Sequence, residues 1–253
     1  MSTSSAQHGL RLVSSVSLAG IDPVAKKIGA TRRIFGFLPE TELYRLTQMA
    51  ELRSFREKQP IFRRGDPGVS LIAVLGGFVK LSTVNMDGRE IVLDVVGPGS
   101  CIGELAILSH WTHSTDATAL SQCRVLSLDT RQFRQILDRN PACLWDMMQM
   151  VGDRLQKTTE QLADALALPA RAHLAKTILR LAKLRQQNGQ NATGPRLRQS
   201  ELAAMTGLSR ENVNRLLGGW SDAGWIRVVD GLVQLVDAAP LWQMIGEDAC
   251  HPG

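Results

Sequence analysis

The sequence predicts an α+β protein with an N-terminal β-roll of the jelly-roll type, a long dimerisation helix and a C-terminal winged helix-turn-helix. Three observations support this fold class. Residues 53–128 contain short β-rich runs that alternate with Gly, Pro and Asp turns. Residues 140–168 carry apolar side chains alternately three and four apart. Residues 196–235 contain two short helical patterns around Gly207, followed by a hairpin pattern.

Composition favours a folded chain of two domains with a polyanionic partner. The chain has 253 residues, of which 44% are hydrophobic, and a formal net charge of +5. This length suggests two domains, and this apolar content is enough to build their cores. Between residues 171 and 227 basic residues outnumber acidic ones. The C-terminal part is therefore the part that we expect to contact a polyanion.

Several classes of protein are excluded by what the sequence lacks. The four cysteines do not form a C-x-x-C or C-x-x-H motif, so we expect no metal site. Neither a secretory leader pattern nor an apolar run of membrane-spanning length occurs, which predicts a cytoplasmic protein without membrane contact. We find no nucleophile–base pair and no Walker loop, so we predict no catalytic residues and no enzymatic activity.

The N-terminal part divides into a tail and a sensor domain. Residues 1–30 are rich in Ser, Ala and Gly, which predicts a flexible tail. Residues 31–139 are expected to form the β-roll. Within it, Asp87-Gly88 lies between two strand-like runs and predicts a hairpin.

The long helix is predicted over residues 140–168. Its apolar seam is Leu144, Met148, Val151, Leu155, Thr158, Leu162 and Ala165. Such a narrow two-position seam favours packing against a parallel partner helix, although one core face of an intramolecular helix is the alternative. Thr158 places a hydroxyl in this seam, with Thr159 beside it, and that is costly unless the hydroxyl has a partner.

Residues 169–253 are predicted to form the winged helix-turn-helix domain. Pro169 ends the long helix, and a further helix is expected over residues 171–185. Gly207 can end the first helix of the motif in a left-handed conformation, and Ser209 can cap the second. Asp230-Gly231 then predicts a hairpin in the position of a wing.

The second helix of this motif carries polar side chains of the types that read bases. Arg210, Glu211, Asn214 and Arg215 lie near its start and along one side. Arginine can bind guanine O6 and N7 bidentately, and glutamate can accept from cytosine N4. The alternative is a solvated charged face on an ordinary helix pair.

A candidate anion pocket lies towards the end of the β-rich region. Gly103 in residues 99–106 could bring backbone N–H groups close to an anion, and Glu104 could accept from sugar hydroxyls. A capped short helix is the alternative interpretation of this segment.

The order of these segments resembles the Crp/Fnr family of homodimeric bacterial transcription regulators, over residues 35–236. The most specific part is Leu208-Ser-Arg-Glu-Asn-Val-Asn-Arg215, similar to the S-R-E-T-V-x-R recognition helix of the family. The resemblance implies that Arg210, Glu211 and Arg215 read a TGTGA-like half-site and that a dimer reads a palindrome of two. It also implies that Gln199 and Ser200 contact phosphates and that RNA polymerase is a partner.

The resemblance further implies a cyclic-nucleotide-binding-like site in the β-roll, with cAMP or another nucleotide as effector. Gly103 and Glu104 match the family residues that hold phosphate and ribose, and Thr158 and Thr159 match the pair that contacts the purine. His113-Ser114 stands where the family has Arg-Ser, so an imidazole replaces the guanidinium that binds the phosphodiester. Two alternatives therefore stay open: a regulator of this family without a ligand, and a nucleotide-sensing module that regulates a partner enzyme.

Overall fold

The computed structural model describes residues 34–105, 112–187 and 197–246, and the predicted tail lies outside them. Its helices and strands occur in the predicted order and confirm the α+β fold class. The N-terminal elements are α1 (Glu40–Met49), β1 (Glu51–Phe55), β2 (Pro60–Phe62), β3 (Ser70–Gly76), β4 (Val79–Val84), β5 (Glu90–Val96), β6 (Cys101–Ile102), β7 (Asp116–Ala119), β8 (Cys123–Asp129) and α2 (Thr130–Arg139). The C-terminal elements are α3 (Cys143–Ala167), α4 (Ala170–Gln187), α5 (Gln199–Thr206), α6 (Arg210–Asp222), β9 (Ile226–Val229), β10 (Leu232–Leu235) and α7 (Ala239–Ile245).

Two antiparallel four-stranded sheets form the β-roll. Their strand orders are β1-β8-β3-β6 and β2-β7-β4-β5. The side chains of one face of each sheet meet in a shared apolar core. This core includes Phe55, Ile72, Val74, Val79, Leu81, Ile102, Ala117 and Val125. A two-sheet sandwich of short strands is the arrangement that the alternating β-rich runs predicted.

The predicted Asp87-Gly88 hairpin is confirmed. Val84 pairs with Glu90, so residues 85–89 form the turn between β4 and β5. Gly88 has a φ of 76°, which glycine adopts without steric cost. The Asn85 side chain accepts hydrogen bonds from the backbone N–H groups of Asp87 and Arg89 and closes the turn.

The long helix α3 begins slightly later than predicted. Its first residue is Cys143, because residues 140–142 form a turn in which the Cys143 N–H donates to the Asn140 carbonyl at 3.0 Å. It ends at Ala167, and Leu168 is extended with a ψ of 137°. That conformation is expected for a residue followed by proline, since the Pro169 ring disfavours helical geometry before it.

The predicted heptad seam faces away from the rest of the chain. Leu155 and Leu162 are 67% and 60% exposed, and only Cys143 and Met147 of this helix are buried. The contacts of α3 with the β-roll and with α4 use Arg154, Lys157 and Asp164, which lie beside the seam and do not belong to it. The alternative that the seam is an intramolecular core face is therefore wrong for the described residues.

The C-terminal elements form the predicted winged helix-turn-helix. Helix α4 is slightly longer than the predicted 171–185. Strands β9 and β10 pair antiparallel with Leu232 opposite Val229. Asp230 and Gly231 have φ values of 53° and 75°, the pair of positive angles that a tight hairpin turn requires.

The winged domain packs against the β-roll, which the sequence did not predict. One apolar cluster contains Leu174, Leu197 and Leu202 of the winged domain together with Phe78 and Val92 of the β-roll. Helix α5 is the element that lies against β5. Consequently β5 contacts both the hairpin turn of the sensor and the DNA-binding motif.

Candidate functional sites

Local backbone geometry positions the second helix of the motif as predicted. Gly207 is left-handed with a φ of 69° and ends α5. The Ser209 hydroxyl accepts from the Asn212 N–H at 3.2 Å and caps α6. Val213 and Leu217 are buried and fix which side of α6 faces inwards. The opposite side of the helix is therefore held towards solvent.

All four base-reading candidates are accessible to solvent. Arg210, Glu211, Asn214 and Arg215 are all exposed. Within the described ranges, none of them makes an ion pair or a side-chain hydrogen bond. Their donors and acceptors are therefore free to contact base edges in a DNA groove. We call this set the recognition face.

Gln199 and Ser200 are the first two residues of α5 and are half-buried. A helix N-terminus presents free backbone N–H groups that favour an anion. The Glu201 side chain accepts from the Arg198 N–H at 2.8 Å and holds the chain entering this helix. Contact of Gln199 and Ser200 with phosphates stays a prediction.

Gly103 occupies a position that only glycine can fill. Its φ is +85°, and a Cβ there would lie 2.8 Å from the Ser70 carbonyl oxygen and 3.3 Å from His113 Cε1. The turn therefore approaches both β3 and the imidazole closely. Residues 106–111, which follow this turn, lie outside the described ranges.

The buried Glu104 has a charged partner that the sequence reasoning missed. Glu104 is 4% exposed, and its Oε1 lies 2.9 Å from Arg154 Nη1 on α3. The same guanidinium donates to the Cys101 carbonyl at 3.4 Å. The sequence offered one signal for this partner. Arg154 lies four residues before Thr158, and residues at this spacing lie on the same side of a helix.

His113 is held in a buried aromatic stack. Its ring lies 3.7 Å from the ring of Phe62 with an interplanar angle of 8°, and the residue is 8% exposed. Burial lowers the pKa of the imidazole, and the nearby Asp66 carboxylate opposes that shift. This shift favours the neutral imidazole, so His113 is a weaker partner for a phosphate than a guanidinium would be.

Ser114, the neighbour of His113, is exposed. Asp116, close to both, accepts a hydrogen bond from the Arg64 N–H at 2.9 Å. The carboxylate is thereby tied to the backbone of the β-roll. It supplies no donor for an anionic ligand.

Thr158 and Thr159 have intrahelical partners. Their hydroxyls donate to the carbonyls of Arg154 and Leu155, both at 2.9 Å, and both side chains are exposed. This bond to the carbonyl four residues back accounts for a hydroxyl in the seam. Arg154, one helical turn before Thr158, pairs with Glu104 and so joins α3 to the segment that follows β6. The assignment of Thr158 and Thr159 to an effector site stays a prediction.

Among the described residues, no helix is long and apolar enough to span a membrane, and no group of His, Cys, Asp and Glu could hold a metal ion.

Comparisons with known proteins agree on the family. Residues 52–140 match the cyclic nucleotide-binding domain, and residues 172–244 match the Crp-like helix-turn-helix domain. A CRP-like cAMP-activated global transcriptional regulator of Mycobacterium tuberculosis is 30% identical over 217 residues, which are 85% of this chain and 97% of that protein. The cyclic AMP receptor protein of Thermus thermophilus is 32% identical over 75% of this chain and 85% of its own length.

A solved structure of a CRP/FNR-family transcriptional regulator from Thermus thermophilus has a TM-score of 0.64 and 25% identity, over 77% of this chain and 98% of that one. The relatives are transcription regulators, which confirms that the chain is not an enzyme. The chain belongs to the Crp/Fnr family and is a DNA-binding transcription regulator with a cyclic nucleotide-binding domain.

Proposed function

We propose that this regulator acts in the cytoplasm as a homodimer that binds a TGTGA-like palindrome through two recognition faces. The observation that carries the proposal is the free, outward placement of Arg210, Glu211, Asn214 and Arg215 on a capped helix. In this motif the start of the second helix enters the major groove, and a two-fold dimer reads two half-sites. Gln199 and Ser200 contact the flanking phosphates, and RNA polymerase is the protein partner.

The exposed seam of α3 supports the dimer. Leucines repeated at heptad spacing on a solvent-facing helix are stabilised by burial against the same face of a second copy. We assign residues 31–139 to the sensor, 140–168 to dimerisation and 169–253 to DNA binding.

Fluorescence anisotropy with a labelled duplex tests the DNA assignment. We expect the protein to bind a TGTGA palindrome much more tightly than a scrambled duplex at moderate salt, since base contacts add to the phosphate contacts common to both. Equal affinity for the two duplexes would refute sequence-specific recognition.

We propose cAMP or another nucleotide as effector, bound near Gly103, Glu104, His113, Ser114, Thr158 and Thr159. A glycine turn such as that at Gly103 can present backbone N–H groups to an anion, and the buried Glu104 carboxylate can accept from a ribose hydroxyl. The effector would shift the population between two dimer states with different spacing of the recognition faces.

A second candidate is a regulator that acts without a ligand, and one observation favours it. The neutral His113 ring packs on Phe62 where the family has a guanidinium, and Arg154 already engages Glu104. Calorimetric titration of cAMP and cGMP into the dimer separates the two candidates. Micromolar binding of either nucleotide rejects the ligand-free regulator, whereas no binding rejects both cyclic nucleotides as effectors.

A further inference from the structure

Three structural units meet at one set of charged side chains beside the Leu168–Pro169 break. Strand β5 contributes one member, the long helix α3 two, and the first helix of the DNA-binding domain, α4, two. The members are Asp94, Lys157, Asp164, Lys176 and Arg180. We call this set the hinge ion network.

The first link joins the β-roll to the long helix. Lys157 Nζ lies 2.9 Å from Asp94 Oδ2 and 3.1 Å from Oδ1. The Asp94 side chain is 15% exposed, so it is largely withdrawn from water. Lys157 is also the immediate neighbour of Thr158. The first link therefore lies next to the α3 residues of the candidate effector site.

The second link joins the long helix to the DNA-binding domain. Lys176 Nζ on α4 lies 2.6 Å from Asp164 Oδ1 on α3. The two residues lie on opposite sides of the break at Pro169, where no helical hydrogen-bond ladder connects α3 to α4. An ion pair across this point restrains the angle between the two helices.

Arg180 adds a second contact between α4 and α3. The Gln161 side-chain oxygen, in the orientation that satisfies its amide, accepts from the Arg180 guanidinium. Burial lowers the pKa of this guanidinium, and the charges of Asp94 and Asp164 oppose that shift. Gln161 lies on α3 between Lys157 and Asp164, so both contacts of α4 are made with the same stretch of α3.

We propose that the hinge ion network links the β-roll through α3 to the DNA-binding domain and transmits movement of β5 and α3 to α4. The other ion pairs of the described residues lie within the β-roll or between it and α3, and none of them reaches α4. A displacement of α3 at Thr158 also moves Lys157, and through Asp164 and Gln161 on the same helix it changes the support of α4. The network is thus one contact through which the sensor biases the DNA-binding domain.

Hydrogen exchange of the full-length protein, measured by mass spectrometry, tests this role without any ligand. In the Arg180→Met variant we expect amide exchange in α4 and α5 to rise at least tenfold, while exchange in β1 and β8 stays as in the wild type. The matched control is Glu90→Gln, since Glu90 lies on the same strand as Asp94 but pairs with Lys80 inside the sheet at 2.8 Å. We expect less than a twofold change in α4 for that control.

Milder variants guard against a folding defect in Arg180→Met. Lys157→Gln and Lys176→Gln remove partly exposed partners, and we expect a smaller increase in α4 exchange in each. Wild-type exchange in α4 for all three network variants, or an equal increase in β1 and β8, would overturn the proposal.

DNA affinity gives a second readout, which rests on the proposed function. The three network variants should alter the affinity for the palindrome at least threefold, and Glu90→Gln should not. If exchange changes as expected but no variant, nor the wild type, prefers the palindrome, the proposed DNA specificity fails and the hinge ion network stands. If the wild type prefers the palindrome and all variants match it in affinity and exchange, the network has no coupling role.

Discussion

Arg210 and Arg215 are the residues whose chemistry most directly determines sequence recognition. Both are exposed and free of described ion pairs on α6. We expect Arg210→Ala and Arg215→Ala each to weaken binding to the palindrome by about 1–3 kcal/mol and to relax specificity at one base pair. Anisotropy with duplexes substituted at single positions measures this. Arg131→Ala is the control, because its side chain is 88% exposed in the β-roll.

An equal loss of affinity for the palindrome and for random DNA would show that these arginines contact only phosphates. An Arg210→Ala, Arg215→Ala double variant that keeps its regulatory output in cells would instead support a module that acts on a partner enzyme.

His113 decides how the phosphate end of the candidate effector site behaves. Arginine can stack on the Phe62 ring as the imidazole does, and it adds a bidentate donor for a phosphodiester. We expect His113→Arg to bind cAMP at least tenfold more tightly than the wild type in calorimetric titration. His113→Gln is the matched control, since it is neutral and should gain nothing. Equal affinities for the Arg and Gln variants would place the phosphate elsewhere.

The role of the α3 seam in association can be tested without disturbing the fold of the single chain. Leu155 and Leu162 are exposed in the single chain, so a charge there should cost the monomer little stability. In a dimer the same charge would be buried without a partner. We expect Leu155→Glu and Leu162→Glu to shift the sedimentation coefficient from that of a dimer to that of a monomer.

Ala163→Glu is the control for the seam, because Ala163 is exposed on the polar flank of the same helix. It adds the same charge at a neighbouring position of α3. Dissociation of this variant as well would show that charge alone, rather than the position of the seam, disrupts association.

Elements set by local interactions could be predicted from the sequence, and contacts between distant residues could not. Gly207 ends its helix by a left-handed backbone conformation, and Ser209 caps the next helix by a hydrogen bond to Asn212. Both effects are local, so the residue types alone predict the motif. Arg154 and Glu104 are fifty positions apart, and only the folded β-roll brings them to 2.9 Å. The Phe62–His113 stack depends in the same way on the approach of β2 to the segment before β7.

At the scale of the whole molecule, the sensor and the DNA-binding domain share apolar surface. Phe78 and Val92 of the β-roll belong to the same cluster as Leu174 and Leu202 of the winged domain. Domains joined through such a buried cluster are expected to unfold together, because exposing the surface of one destabilises the other. The intact protein should therefore show a single calorimetric transition.

Phe78→Ala should divide that transition into two. Phe78 is 4% exposed within the shared cluster, and truncation of a buried phenylalanine costs about 3–5 kcal/mol. Much of that loss falls on the contact between the domains, so the winged domain should melt at lower temperature than the β-roll.

Phe55→Ala is the matched control, because Phe55 is equally buried but lies in the core between the two sheets. It should lower the stability of the β-roll and leave the winged domain with no earlier transition of its own. If Phe78→Ala instead lowers one undivided transition as Phe55→Ala does, the shared cluster stabilises the β-roll alone, and coupling between the domains depends on the hinge ion network.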